Sequence, residues 1–238
     1  MADDTRRLGR DPRVRATLLA LAAIGGWLDG LTFVALGTVF VTAVTGDLVQ
    51  LGISIADGRW SALAVLVAAL AAFMLGTVVS VVLVRAAGAR GWPGPVRRPL
   101  FVHAALLLVF AACWTAIGDP QPESIAAVLV VAVAAASAGI QAAIVVGLGI
   151  RGANVSAVTT VLILLAAGFA EREGDVPGPR SDLPLSELFL ILAVYCASGL
   201  VVALALSEKA GVLAWVPAAV AIAVIALVPR RDPKLAPG

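Results

Sequence analysis

Charge is scarce in this chain. Only 13% of its 238 residues are Asp, Glu, Lys or Arg, whereas 61% are hydrophobic and the mean hydropathy is +1.03. A soluble domain carries about 25% charged and about 45–50% apolar residues. A globule of this length has too little polar surface to cover such an excess, so the solvent for most of the chain must be lipid. Histidine occurs once (His103) and cysteine twice (Cys113 and Cys196), both cysteines within apolar segments. That inventory excludes a disulfide framework and offers no set of metal ligands, so neither metal nor other cofactor is expected. P-loop, Cys-x-x-Cys, His-Glu-x-x-His and Gly-x-Ser-x-Gly motifs are missing too, and with them any nucleophile–base pair for an enzyme. The formal net charge is only +2 and the basic residues sit at segment ends, which gives a nucleic-acid partner nothing to bind. No signal peptide is expected, because the first apolar run, 14–36, is too long for one and contains Asp29.

What the chain has is apolar runs. Segments 14–36, 60–84, 99–117, 124–147, 186–207 and 211–229 fit the roughly 17–25 residues that cross a bilayer. Two more, 38–56 and 153–170, follow the preceding run after short breaks. Six crossings plus two re-entrant or broken segments, or eight crossings, are the two counts this allows. Cytoplasmic loops are enriched in Arg and Lys. With the N-terminus inside, six crossings leave only Arg59 and Lys209 of the 17 basic residues outside; eight crossings leave six outside. The six-crossing count is therefore favoured. It implies an all-α membrane domain spanning 1–238: a basic cytoplasmic arm (1–13), a first repeat (14–118), a second repeat (123–229) and a basic cytoplasmic tail (230–238).

The two odd segments resemble each other. FVTAVTGDLVQLGISIAD (40–57) aligns without gaps on NVSAVTTVLILLAAGFAE (154–171), sharing a Thr/Ser-Ala-Val-Thr core and a closing acid. Three crossings per half force the second half to enter the membrane in the opposite sense, an inverted repeat of the kind many secondary transporters share.

Polar residues inside these runs are the candidate site. Asp29 lies about 21 Å along the first helix from Arg15, between the midplane and the outer interface. An intramembrane carboxylate by default marks an ion or proton path, and Asp47 at a helix centre would cost about 2.5–3.5 kcal/mol. Thr42, Thr45, Gly46 and Asp47 predict a helix broken near Gly46 around a polar pocket; the alternative is Asp47 capping a short, hydrated helix. Asn154, Ser156, Thr159 and Thr160 occupy the matching segment of the second half. Gly26 and Gly30 around Asp29, and Ala135, Gly139 and Ala143 around Gln141, form small-residue faces that let helices approach closely. They predict that the first helices of the two halves cross each other, with Gln141 as the neutral counterpart of Asp29. His103 is expected as an interfacial side chain near the cytoplasmic end of its helix.

These residues resemble a known family. GGWLDGLTFVALGTVFVTAVTGDLVQLG, followed by AGIQAAIVVGLG and VSAVTTVL, looks like the bacterial YoaK-type (DUF1275) multi-pass membrane proteins, over nearly the whole chain. The resemblance implies a bacterial cytoplasmic membrane, a transporter-like fold and functional roles for Asp29, Thr45, Gly46, Gly139 and Gln141. Asp47 stands where the family usually has asparagine, as does Ala142, and Val158, Thr159 and Thr160 replace a second Thr-Gly element. A charge is gained in one half and an amide is absent from the other.

The expected activity is proton- or ion-coupled transport of a small solute, held between the two odd segments with Asp29 binding the coupling ion. A non-transporting structural or partner-docking protein and a passive channel are the alternatives. A homo-oligomer is compatible with the composition, which specifies no stoichiometry.

Overall fold

The computed structural model describes residues 7–37, 39–86, 92–118, 120–153, 158–170 and 181–229. Among these residues the chain is entirely helical. The helices are α1 (Pro12–Leu36), α2 (Val44–Ala56), α3 (Trp60–Ala86), α4 (Gly94–Ile117), α5 (Ile125–Gly147), α6 (Val158–Ala170), α7 (Leu185–Leu213) and α8 (Val216–Leu227). Five of them, α1, α3, α4, α5 and α7, are long and apolar enough to cross a membrane. The two odd segments form α2 and α6, each of 13 residues. At 1.5 Å per residue that is about 20 Å, short of the roughly 30 Å hydrocarbon core. The expected last crossing, 211–229, is also reduced: α8 proper has 12 residues, and its apolar stretch runs over Gly211–Leu227.

The helix ends follow local chemistry. Asp11 caps α1 by accepting the Arg13 N–H at 2.8 Å, with Pro12 at the first helical position, where its missing N–H costs nothing. Gly37 ends α1 at φ 74°, a left-handed conformation that glycine adopts without a Cβ penalty. Ser124 caps α5 by accepting the Ala127 N–H.

Burial separates the helices into inner and outer. The membrane-length windows of α1 and α5 are 56% and 61% buried, against 28% for α3 and 17% for α7. The inner helices supply Leu21, Leu28, Leu31, Val130, Ala138 and Ile144 to the core, and α4 adds Leu107, Phe110 and Trp114. The outer ones leave Met74, Leu75, Val78, Phe189, Leu200 and Leu204 exposed, as a lipid-facing surface requires.

The pairing of helices crosses between the halves. α1 packs chiefly on α7, and α5 chiefly on α3; α4 lies on α5 and α8 on α1; α2 lies on α3 and α6 on α7. α1 and α7 run in the same direction, because Arg15 pairs with Glu187, Gly26 abuts Tyr195 and Gly30 abuts Gly199 in ascending order. Glycine makes these crossings possible. A Cβ at Gly26 would lie 2.1 Å from the Tyr195 carbonyl oxygen, and one at Gly76 or Gly139 2.0 Å from a backbone carbonyl on the facing helix. The small-residue faces of α1 and α5 thus meet α7 and α3, not each other as the sequence led us to expect. Close backbone approach in lipid gains dispersion contacts and admits interhelical hydrogen bonds, such as Thr77 Oγ1 donating to the Gly139 carbonyl at 3.2 Å.

Candidate functional site

The chain is broken between α1 and α2, and two carboxylates hold the break. Three successive backbone amides there have no helical partner. The Phe40 N–H donates to Asp47 Oδ1 at 3.0 Å, and the Val41 and Thr42 N–H groups donate to Asp29 Oδ1 at 2.7 and 2.8 Å. Unpaired amides at membrane depth would each cost several kcal/mol, so the acids satisfy a demand that the unwound backbone creates. Thr32 Oγ1 donates to the Val39 carbonyl at 2.8 Å, and the Phe33 and Phe40 rings stack at 4.7 Å, closing the turn. The break therefore lies ahead of α2. Gly46 sits inside its first turn, where a Cβ would meet the Phe40 ring at an ordinary 3.5 Å, so neither space nor conformation demands glycine. Asp47 is 1% exposed, which removes the hydrated-cap alternative, and its place in the first turn of α2 suits a negative charge.

Asp29 Oδ2 faces the other way, toward α7. It accepts the hydroxyls of Thr42 and Tyr195, and those two hydroxyl oxygens are 3.2 Å apart. Gln141, fully buried on α5, reaches the same place. Its Nε2 donates to the Leu21 carbonyl at 2.9 Å, and Oε1 has no partner among the described residues. A Cβ on Gly25 would lie 3.4 Å from Gln141 Nε2, 3.4 Å from the Tyr195 ring and 3.7 Å from the Thr42 methyl. Three helices and the break therefore converge on Gly25. The Arg15–Glu187 and Arg59–Glu123 ion pairs involve neither acid.

The cluster brings together Asp29, Thr42, Asp47 and Gln141 and leaves other expected residues apart. Thr45 is exposed on the outer side of α2, and Thr159 and Thr160 are exposed on α6. Asn154 and Ser156 lie outside the described residues. Among the described residues α2 and α6 make no substantial contact with each other. The polar centre lies instead at the α1–α7 crossing. Gly26 and Gly30 line that crossing, Gly139 the α3–α5 one, Ala135 is buried, and Ala143 is half-buried. His103 is not interfacial: it is fully buried between α4 and α5, with Nδ1 3.0 Å from the Ser137 carbonyl and 2.8 Å from its hydroxyl. Tyr195 was not anticipated. It is the chain's single tyrosine, placed mid-helix instead of at the interface where tyrosines concentrate, and that anomaly was its one sequence signal.

A second polar group lies at the far end of α1. Leu36, Gly37, Gln50, Ser54, Arg59 and Glu123 are among the residues lining a narrow recess of about 280 Å³, counted to its open mouth. Glu123 accepts from Arg59 and from the Ser61 hydroxyl at that mouth, and it does so at φ 59°, a left-handed conformation costly for any residue but glycine. These partners, the Ser61 hydroxyl first and then Arg59, hold its carboxyl below the ordinary value.

Five apolar helices of membrane-crossing length around a buried polar cluster define a multi-pass α-helical membrane protein. Comparison with known proteins agrees. The family described as "Protein of unknown function (DUF1275)" matches residues 17–228, and the chain belongs to that family. It is similar to the UPF0700 transmembrane protein YoaK of Bacillus subtilis (strain 168), with 30% identity over 207 residues that cover 85% of this chain and 89% of that protein. No solved structure matches.

Proposed function

We propose that this protein is a coupled secondary carrier of a small solute in the bacterial cytoplasmic membrane, with six crossings, two short re-entrant segments and both termini cytoplasmic. The observation that carries the proposal is Asp29: a carboxylate buried inside a membrane helix, beside a chain break, with no basic partner among the described residues. Discontinuous helices at membrane depth are where secondary transporters place substrate and coupling ion. Helix order supports two repeats, since each half runs long, short, long and then one more helix. The crossed pairing supports them too, α1 with α7 and α3 with α5 being equivalent under a two-fold exchange of halves. Ion pairs tie both assemblies at their starts, Arg15–Glu187 for α1 and α7 and Arg59–Glu123 for α3 and α5. The two lie at opposite ends of α1, as inner and outer latches of a rocking carrier would. A carrier of this kind performs no covalent chemistry.

The test is flux of candidate solutes into reconstituted vesicles under an imposed pH gradient. Wild type is expected to accumulate solute and Asp29→Asn to lose coupling, with at least tenfold less accumulation. Equal transport with unchanged pH dependence in Asp29→Asn would remove the coupling role.

A structural reading is favoured by one observation: all four contacts of Asp29 are with groups of the protein itself, two of them backbone amides of the break. On that reading Asp29→Asn lowers stability and activity together, and no variant separates them.

A further inference from the structure

Asp29 Oδ2, Thr42 Oγ1 and Tyr195 Oη form a closed triangle of contacts. Each hydroxyl carries one hydrogen. With Asp29 ionised, both hydrogens point at Oδ2, and the Thr42–Tyr195 edge is left with two oxygens facing each other and no hydrogen between them. One more proton closes the ring. Oδ2–H then donates to Oγ1, Oγ1–H to Oη and Oη–H back to Oδ2, so that every oxygen donates once and accepts once. The carboxyl passes from −1 to 0 as its O–H bond forms, and the proton leaves when that bond breaks.

We infer that the triangle of Asp29, Thr42 and Tyr195 is a proton-binding site, and that the species this protein couples to is the proton. The one hydrogen position left open is on the Thr42–Tyr195 edge, and a single proton fills it without moving any of the three oxygens. The two carboxylate oxygens divide the work. Oδ1 keeps the Val41 and Thr42 amides in both states, so the break stays pinned while Oδ2 gains and loses its proton.

The groups around Asp29 leave the charge change to this ring. The segment ahead of α2 contributes Thr42, α2 the carboxyl of Asp47, α7 Tyr195 with the exposed Cys196 beside it, and α5 the neutral Gln141; α8 brings no titratable side chain. Asp47, Gln50 and Ser54 fall on one helical face at i, i+3 and i+7, and the latter two line the recess beneath the Arg59–Glu123 pair. Tyr195 is a positioning residue here, acting through Asp29.

The inference deepens the carrier proposal, and its site can be tested without transport. Infrared difference spectra of the purified protein across a pH series report the carbonyl stretch of a protonated carboxyl. A band is expected in wild type and in Asp47→Asn, absent in Asp29→Asn, and unaffected when Na⁺, Li⁺ or K⁺ replaces choline. Tyr195→Phe removes one corner of the ring, and with it the hydroxyl that donates to Asp29, and should shift the pH midpoint by about one unit or more, the worth of that charge-assisted hydrogen bond. A band displaced by Na⁺ or Li⁺, a midpoint unmoved in Tyr195→Phe, or no Asp29-dependent band while the protein stays folded would each overturn the proton site. Vesicle flux separates the two claims. A titrating band without flux of any solute sinks the carrier and leaves the proton site standing; flux without the band does the reverse.

Discussion

Asp29 shows how one residue can be conspicuous in sequence while its work stays hidden. An acid in the middle of an apolar helix needs a partner, and the natural guess is another side chain. Half of its contacts are instead with backbone amides 12 and 13 residues on. Replacing it with Asn turns one acceptor into a donor that faces buried donors. Leaving such a group unsatisfied costs about 1–3 kcal/mol, so Asp29→Asn should lose that much in equilibrium denaturation in detergent micelles. Asp47→Asn should lose less, because one amide depends on it. Gly25→Ala adds a methyl at ordinary contact distances from Gln141, Tyr195 and Thr42. It is expected to fold normally in the same assay; strong destabilisation would mean that the three side chains are packed more tightly around Gly25 than the distances indicate.

The element scale carries the clearest stability prediction. Gly26, Gly76 and Gly139 each face a backbone carbonyl at a distance no Cβ can share, whereas a Cβ at Gly52 on α2 would meet nothing within 4 Å. Alanine at any of the first three must push two helices apart, at a cost of about 1–3 kcal/mol or more. Gly52→Ala should be neutral or stabilising by up to about 1 kcal/mol, through helix propensity alone. Thermal unfolding of the four variants in one detergent checks this, and a uniform response would refute the crossings described. The existence of helices was plain from the apolar runs, although the break expected near Gly46 lies ahead of α2. Their partners were not. Gly26 and Gly139 announced close crossings without saying with what, since a small-residue face fits any other smooth face.

For the molecule as a whole, the Arg59–Glu123–Ser61 contact stands outside the membrane segments and responds to acid. The Glu123 carboxyl is held below its ordinary value of 4.5. Its contribution is therefore complete above pH 4.5 and fades as pH falls through the lower folded-state value. Wild type should become progressively less stable than it is at neutral pH over that acid range, while Glu123→Gln shows no such dependence at this site; parallel acid profiles would dismiss the latch. Topology is checked with a cysteine-free background. Cysteine placed at Asp57 should be labelled from outside and one at Arg98 from the cytoplasmic side.

Composition and run length were enough to establish that lipid surrounds this chain, that apolar helices build it, and that Asp29 needs a partner. Each follows from the cost of placing charge or bare backbone in hydrocarbon, which is local and legible residue by residue. Which helix faces which was settled only by assembly. Lipid is as apolar as a packed interior, so a helix such as α7 has no polar stripe to mark its inner side, and Tyr195 looks like any buried aromatic until α1 is laid against it. Its hydroxyl meets Asp29 across 166 positions of sequence, and Gln141 meets Leu21 across 120. Contacts that distant depend on backbones close enough to touch at Gly26 and Gly139, a condition that only the folded bundle imposes.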